Sequence, residues 1–203
     1  MTTPLLLSGF LIGALATPLA EPYAGETRPV HRLYLGLVTA GTFGLLGRRI
    51  GSEPVLAALL YVAAAGVLLA HIDLKAKRLP DRLTLPSYGI AAALLATAVP
   101  FTHDGQRRFA HALLGMLALL LLYAAQALAV PTGLGLGDVK LSGVLGLCLG
   151  WFGQGTWLTA LLATHVLGAF TAVTVMAARR TRKTEFAFGP HMLAGTLIAI
   201  STT

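Results

Sequence analysis

Seven stretches of this chain contain no Asp, Glu, Lys or Arg: residues 1–20, 33–47, 54–72, 83–103, 109–130, 141–178 and 186–203. A bilayer core about 30 Å thick takes roughly 20 apolar helical residues to cross, and most of these windows reach or approach that length. In lipid only helices and closed barrels satisfy every backbone N–H and C=O. The runs are continuous rather than alternating, which argues against a barrel. Leu113–Leu122 and Ala57–Ala70 have almost no polar face, which argues against a soluble helical bundle.

The window 141–178 is too long for one crossing, since at 1.5 Å per residue it would reach about 57 Å. The run Trp151–Trp157 divides it, with glycines for a turn and tryptophans suited to a membrane interface. The expected architecture is an all-α polytopic transmembrane bundle forming one domain over 1–203. It has about eight spans (six to eight), near 3–20, 33–48, 54–72, 83–100, 109–130, 139–152, 156–178 and 186–202. The first lacks the basic n-region of a secretory signal and reads as a span. The sixth is short, so it either tilts or re-enters.

Composition narrows the function classes. A chain that is 56% hydrophobic and 11% charged is not disordered. The pI near 10.1 does not indicate nucleic acid, because the charge sits in short loops rather than on a clustered water-exposed face. Membrane lipid is the partner such loops imply. With eight crossings, the loops 21–32, 73–82, 131–140 and 179–185 share one side and carry eleven Lys and Arg, against four on the other. Positive loops stay in the cytoplasm, so both termini are expected outside. If the sixth segment did not cross, the balance would be 7 against 8 and the orientation would lose its support.

Two of the scarce acids stand at the ends of apolar runs, where an ionisable group becomes a functional suspect. Asp73 closes the third span and Asp138 opens the sixth. Two crossings separate them, so both are expected on one membrane face. Two carboxylates a few ångströms apart do not both ionise cheaply, so one retains the proton. Such a pair could hydrolyse an amide by general acid–base catalysis, the charged member taking a proton from water and the neutral one donating to the carbonyl oxygen. Structural readings stand beside this one. Asp138 could be the N-cap of the sixth helix, Asp73 could pair with Lys77 one turn on, and Asp81 after Pro80 suits a turn and cap.

Three patches resemble the type IV prepilin peptidases, membrane aspartic peptidases of the Gly-x-Gly-Asp type. The first is Asp73 followed by Pro80-Asp81 and Leu83-Thr84-Leu85-Pro86. The second is Gly135-Leu136-Gly137-Asp138-Val139-Lys140. The third is Phe188-Gly189-Pro190, where Ala187 replaces the family's first proline. The likeness covers roughly 54–203. It implies that Asp73 and Asp138 are the catalytic pair, that no cofactor or metal takes part, and that the partner is a pilin-like precursor. Cleavage would fall after a glycine, between a basic leader and an apolar helix, at the cytoplasmic face of the inner or plasma membrane. Phe188, Gly189 and Pro190 carry over as a motif without a role. Gly135 and Gly137 would permit close backbone approach, or simply a flexible loop. Lys140 would tune the pair or, on the preferred reading, bind lipid phosphate or set topology.

Many members of the family also carry paired Cys-x-x-Cys motifs and methylate the new N-terminus. This sequence has one cysteine, Cys148, so cleavage without methylation is expected. Two alternatives remain: an ion-coupled transporter using the two acids, and a presenilin-like protease. The latter shares Gly-x-Gly-Asp but places its partner acid in a Tyr-Asp context, whereas this chain has Ile72-Asp73. His71, two residues from Asp73, would point elsewhere on a helix. His111, His165 and His191 read as polar contacts inside the bundle and are too scattered to suggest a metal site. Gly115, Gly143, Gly146 and Gly168 read as helix-packing positions, and Cys148 as an apolar filler.

Overall fold

The computed structural model describes residues 2–129, 134–179 and 187–203. Among these, every regular element is helical. The α-helices are α1 (Thr2–Ala16), α2 (Glu21–Ala24), α3 (Pro29–Ile50), α4 (Leu56–Ala76), α5 (Asp81–Ala98), α6 (Gly105–Ala129), α7 (Leu136–Phe152), α8 (Gln154–Arg179) and α9 (Gly189–Thr202). Among the described residues five stretches are long and apolar enough to cross a membrane: Thr2–Ala24, Leu56–Ala76, Asp81–Phe101, Gly105–Ala129 and Gln154–Ala178. The other three expected spans, near 33–48, 139–152 and 186–202, form helices α3, α7 and α9, which are not in that set. The molecule is a helical membrane bundle.

Helix ends differ from the sequence expectation in ways that local chemistry explains. The first segment runs on through a 3-10 turn at Thr17–Ala20 into α2, because Pro18 and Pro22 sit at first-turn positions where a missing N–H costs nothing. Pro29 starts α3 four residues before the expected 33 in the same way. Helix α5 begins at Asp81, directly after Pro80. The break after α7 is the single residue Gly153, whose φ of 108° lies where an L side chain would be strained. Trp151 does not face the surroundings of the bundle. It is 1% exposed, inside the bundle. The last-loop basic residues Arg180, Arg182 and Lys183, and the expected start of the last span at 186, lie outside the described residues.

The short sixth segment has become the centre of the molecule. At 17 residues α7 is about 25 Å long, and residues 141–151 are all buried. Helices α4, α5, α6, α8 and α9 all pack on it. A helix that is apolar all round belongs in such a position. The closest approach is to α6. A Cβ on Gly146 would stand 2.5 Å from the Gly115 carbonyl oxygen, and one on Gly115 would stand 2.8 Å from the Cα of Gly150. Lipid tails are as apolar as Leu, so helices in a membrane associate through tight van der Waals contact of this kind. On the α5 side, the Tyr88 hydroxyl donates to the Lys140 carbonyl at 2.6 Å and occupies the space a Gly143 side chain would need.

Because the atoms facing Gly146 are backbone, they cannot swing aside. Gly146→Val is expected to lower stability by about 1–3 kcal/mol or more, read as a shifted unfolding midpoint in detergent micelles. An unshifted midpoint would mean that α6 and α7 do not meet at these glycines.

Candidate functional site

The ends of four helices, α4, α5, α7 and α9, gather at one end of the bundle. Helix α4 ends with Lys77 in the left-handed conformation (φ 50°), its N–H bonded to the Asp73 carbonyl at 2.8 Å. Asp73 therefore lies in the last turn of α4 and is 5% exposed. Three residues after Lys77, Pro80 is the N-cap of α5, and Thr84 Oγ1 donates back to its carbonyl. Leu79, between these two stops, packs against Gly137, where a Cβ would lie 2.8 Å from the Leu79 Cβ. This close approach accounts for Gly137. Gly135, at φ −77°, is under no such demand.

Gly135, not Asp138, is the N-cap of α7. Asp138 stands three residues in, and its Oδ2 accepts the Gly135 N–H at 3.3 Å. A carboxylate here suits the positive end of the helix dipole. Asp138 is 9% exposed, and its Oδ1 has no hydrogen-bond partner among the described residues. The Leu79–Gly137 contact brings the chain leaving α4, six residues after Asp73, against the turn that carries Asp138.

The third motif reaches the same place from the far end of the chain. Phe188 is the N-cap of α9, and the Gly189 N–H donates to Asp73 Oδ2 at 2.9 Å. A Cβ on Gly189 would also stand 2.9 Å from that oxygen, so the position takes no side chain without displacing the carboxylate. Pro190 follows in the first turn of α9, where proline is tolerated. The structure thus supplies the contact that the bare motif lacked.

One expectation is corrected. Asp81 makes no side-chain cap to α5. Its two carboxylate oxygens lie 2.6 and 2.8 Å from Lys140 Nζ, tying the start of α5 to the N-terminal part of α7. Lys140 Nζ faces this carboxylate.

Behind the two acids lies a set of rings that the sequence did not single out together. Tyr123 of α6 is 2% exposed. Its ring centroid is 5.8 Å from His165 of α8 and 6.3 Å from Phe188. His165 pairs with Gln126 (3.3 Å) and the Leu161 carbonyl, and His191 with Thr171 (2.8 Å) and the Ala187 carbonyl. His165 and His191 are thus polar contacts inside the bundle. Their one sequence signal was polarity within apolar spans. His71 faces away from this group, its ring 5.3 Å from that of His31. Among the described residues no group of three His, Cys, Asp or Glu could hold a metal ion.

The fold and this cluster define a polytopic helical membrane protein with two buried acids at one end of its bundle. Residues 58–173 match the model of the type IV leader peptidase family. Three curated relatives are each named a prepilin leader peptidase/N-methyltransferase. That of Aeromonas salmonicida (strain A449) is 34% identical over 137 residues, 66% of this chain and 45% of the relative. That of Neisseria gonorrhoeae is 30% identical over 162 residues, 77% of this chain and 52% of the relative. That of Aeromonas hydrophila is 36% identical over 138 residues, 66% of this chain and 45% of the relative. The chain belongs to the type IV leader peptidase family. It spans about half the length of the curated relatives it matches. No solved structure matches it.

The Asp81–Lys140 pair is half in water, with side chains 55% and 35% exposed. A double-mutant cycle with Asp81→Asn and Lys140→Met should give a coupling of roughly 0.2–1 kcal/mol, shrinking as salt is raised. Zero coupling would return Lys140 to the lipid-binding reading.

Proposed function

We propose that this chain is a membrane endopeptidase that removes the basic leader from type IV pilin-like precursors, with Asp73 and Asp138 as its acid–base pair. What supports the reading is a pair of buried carboxylates, one in the last turn of α4 and one in the first turn of α7, each held by a glycine N–H at one end of a bundle in this family. Soluble or lipid-facing acids would be hydrated or absent. These two are enclosed, at helix ends, where a peptide entering from the aqueous side could reach them.

The chemistry follows from the pair. The ionised carboxylate takes a proton from a water lying between the two acids. The resulting hydroxide adds to the scissile carbonyl carbon while the protonated carboxyl donates to the carbonyl oxygen. Collapse of the tetrahedral intermediate breaks the C–N bond, and a proton passes to the departing amine. Neither step forms a bond between enzyme and substrate. Gly189 holds Asp73 from one side by its N–H, and Gly135 holds Asp138 by another. The apolar stretch of the precursor would lie beside the spans as one more helix. It must unwind at the cut site, because a helical amide is already hydrogen-bonded.

The end of the bundle that holds both acids also carries Arg28, Arg32, Lys75, Lys77, Arg78 and Arg82. The positive-inside rule therefore puts this end in the cytoplasm, and the protein in the inner membrane with both termini outside. The 203 residues as they stand are proposed to cleave without methylating, since their one cysteine, Cys148, is buried in α7. Methyl transfer to the new N-terminus in the same assay would refute that part.

Purified protein incubated with a pilin precursor should release the leader. Asp73→Asn and Asp138→Asn should each abolish release while the unfolding midpoint in detergent stays near that of the parent. Gly189→Ala should slow release about tenfold or more, by pushing the Asp73 carboxylate off its position. Undiminished cleavage in either Asn variant removes that residue from the chemistry.

A further inference from the structure

The hydrogen bond from Gly189 to Asp73 depends on how the chain entering α9 is held. The first N–H groups of a helix have no acceptor within it. In this turn Pro190 has no N–H, and the His191 N–H turns back to the Phe188 carbonyl at 3.0 Å. Gly189 is thus the donor of the turn that reaches the carboxylate, and its direction is set by the Ala187–Phe188 peptide just before it.

Two side chains grip that peptide. The Phe188 ring lies against Gly168 of α8, where a Cβ would stand 2.9 Å from Cε2. It sits among the rings of Tyr123, His165 and His191. The His191 imidazole reaches back along the chain. Its Nδ1 is 3.1 Å from the Ala187 carbonyl oxygen, and its Nε2 is 2.8 Å from Thr171 Oγ1 on α8. A carbonyl can only accept, so in the neutral ring Nδ1–H donates to Ala187 and Nε2 accepts the threonine hydroxyl. One ring therefore ties the entry of α9 to the wall of α8.

We propose that His191 is a positioning residue for Asp73: by bridging the Ala187 carbonyl to Thr171, it fixes the turn that aims the Gly189 N–H at Asp73 Oδ2. The kinetic consequence rests on the peptidase reading above. The hydrogen bond itself does not, and can be observed without turnover.

Two measurements on the whole protein in micelles test it. With a pilin precursor, His191→Leu should lower kcat about tenfold or more and leave KM within about twofold, because the ring does not need to touch substrate. His191→Asn should restore most of the rate, since its amide N–H can take the place of Nδ1–H. Thr171→Val should fall between the two. In glycine-labelled protein the Gly189 amide should exchange slowly with solvent. His191→Leu should speed that exchange about tenfold, and His191→Asn should leave it near the parent rate. An unchanged Gly189 amide in His191→Leu overturns the proposal. So does a kcat loss matched by a rise in KM and left unrestored by Asn. If the parent protein cleaves no precursor, the peptidase reading fails, and the amide measurement still decides this one.

Discussion

The enclosure of α7 is the constraint on which the rest of the molecule depends. Its residues 141–151 are buried on every side, so the helix cannot slide or rotate without opening contacts to five neighbours. The tightest of these, at Gly115, Gly146 and Gly150, sets α6 and α7 backbone against backbone. Because the helix is short, its first turn opens at the end of the bundle rather than in a loop beyond it. Asp138 is carried in that first turn and is thereby fixed in depth. A longer, lipid-facing helix would place the same acid in headgroups and water.

Around this fixed acid the other pieces are held by contacts of different kinds. Leu79 closing on Gly137 and Asp81 bound to Lys140 lock the start of α5 to α7. The left-handed stop at Lys77 ends α4 one turn after Asp73 and lets the chain reach Leu79. Helix α9 contributes through its N-terminus, one N–H of which is spent on Asp73. Three parts of the chain more than fifty residues apart thus meet at one membrane-side end. Each is built from a helix terminus, where backbone groups are free to hold a charged side chain.

Much of this could be read from the sequence, for definite reasons. The helices were legible because charge is excluded from lipid: each charge-free window holds a helix, and 141–178 holds two, though only five stretches have the length and apolarity of a span. Asp73 and Asp138 stood out because acids are rare at the ends of such windows. The ends of helices were less legible. Prolines at 18, 22 and 29 could as well have broken helices as begun them. The burial of Trp151 and the Asp81–Lys140 pair were not legible at all, since both depend on which helix lies alongside α7. The same holds for Gly189 and His191. Their spacing along the chain says nothing of Asp73, which lies 116 residues before Gly189.

The account stands on the two carboxyls lying within reach of each other at one end of the bundle. Replacing Asp73 and Asp138 with cysteine, and Cys148 with alanine, would allow this to be measured directly with a bifunctional thiol reagent only a few ångströms long. The account predicts an efficient intramolecular crosslink, visible as a tether between peptides cut from α4 and α7. Failure to crosslink, while a cysteine pair at Asp81 and Lys140 reacts in the same membranes, would contradict it.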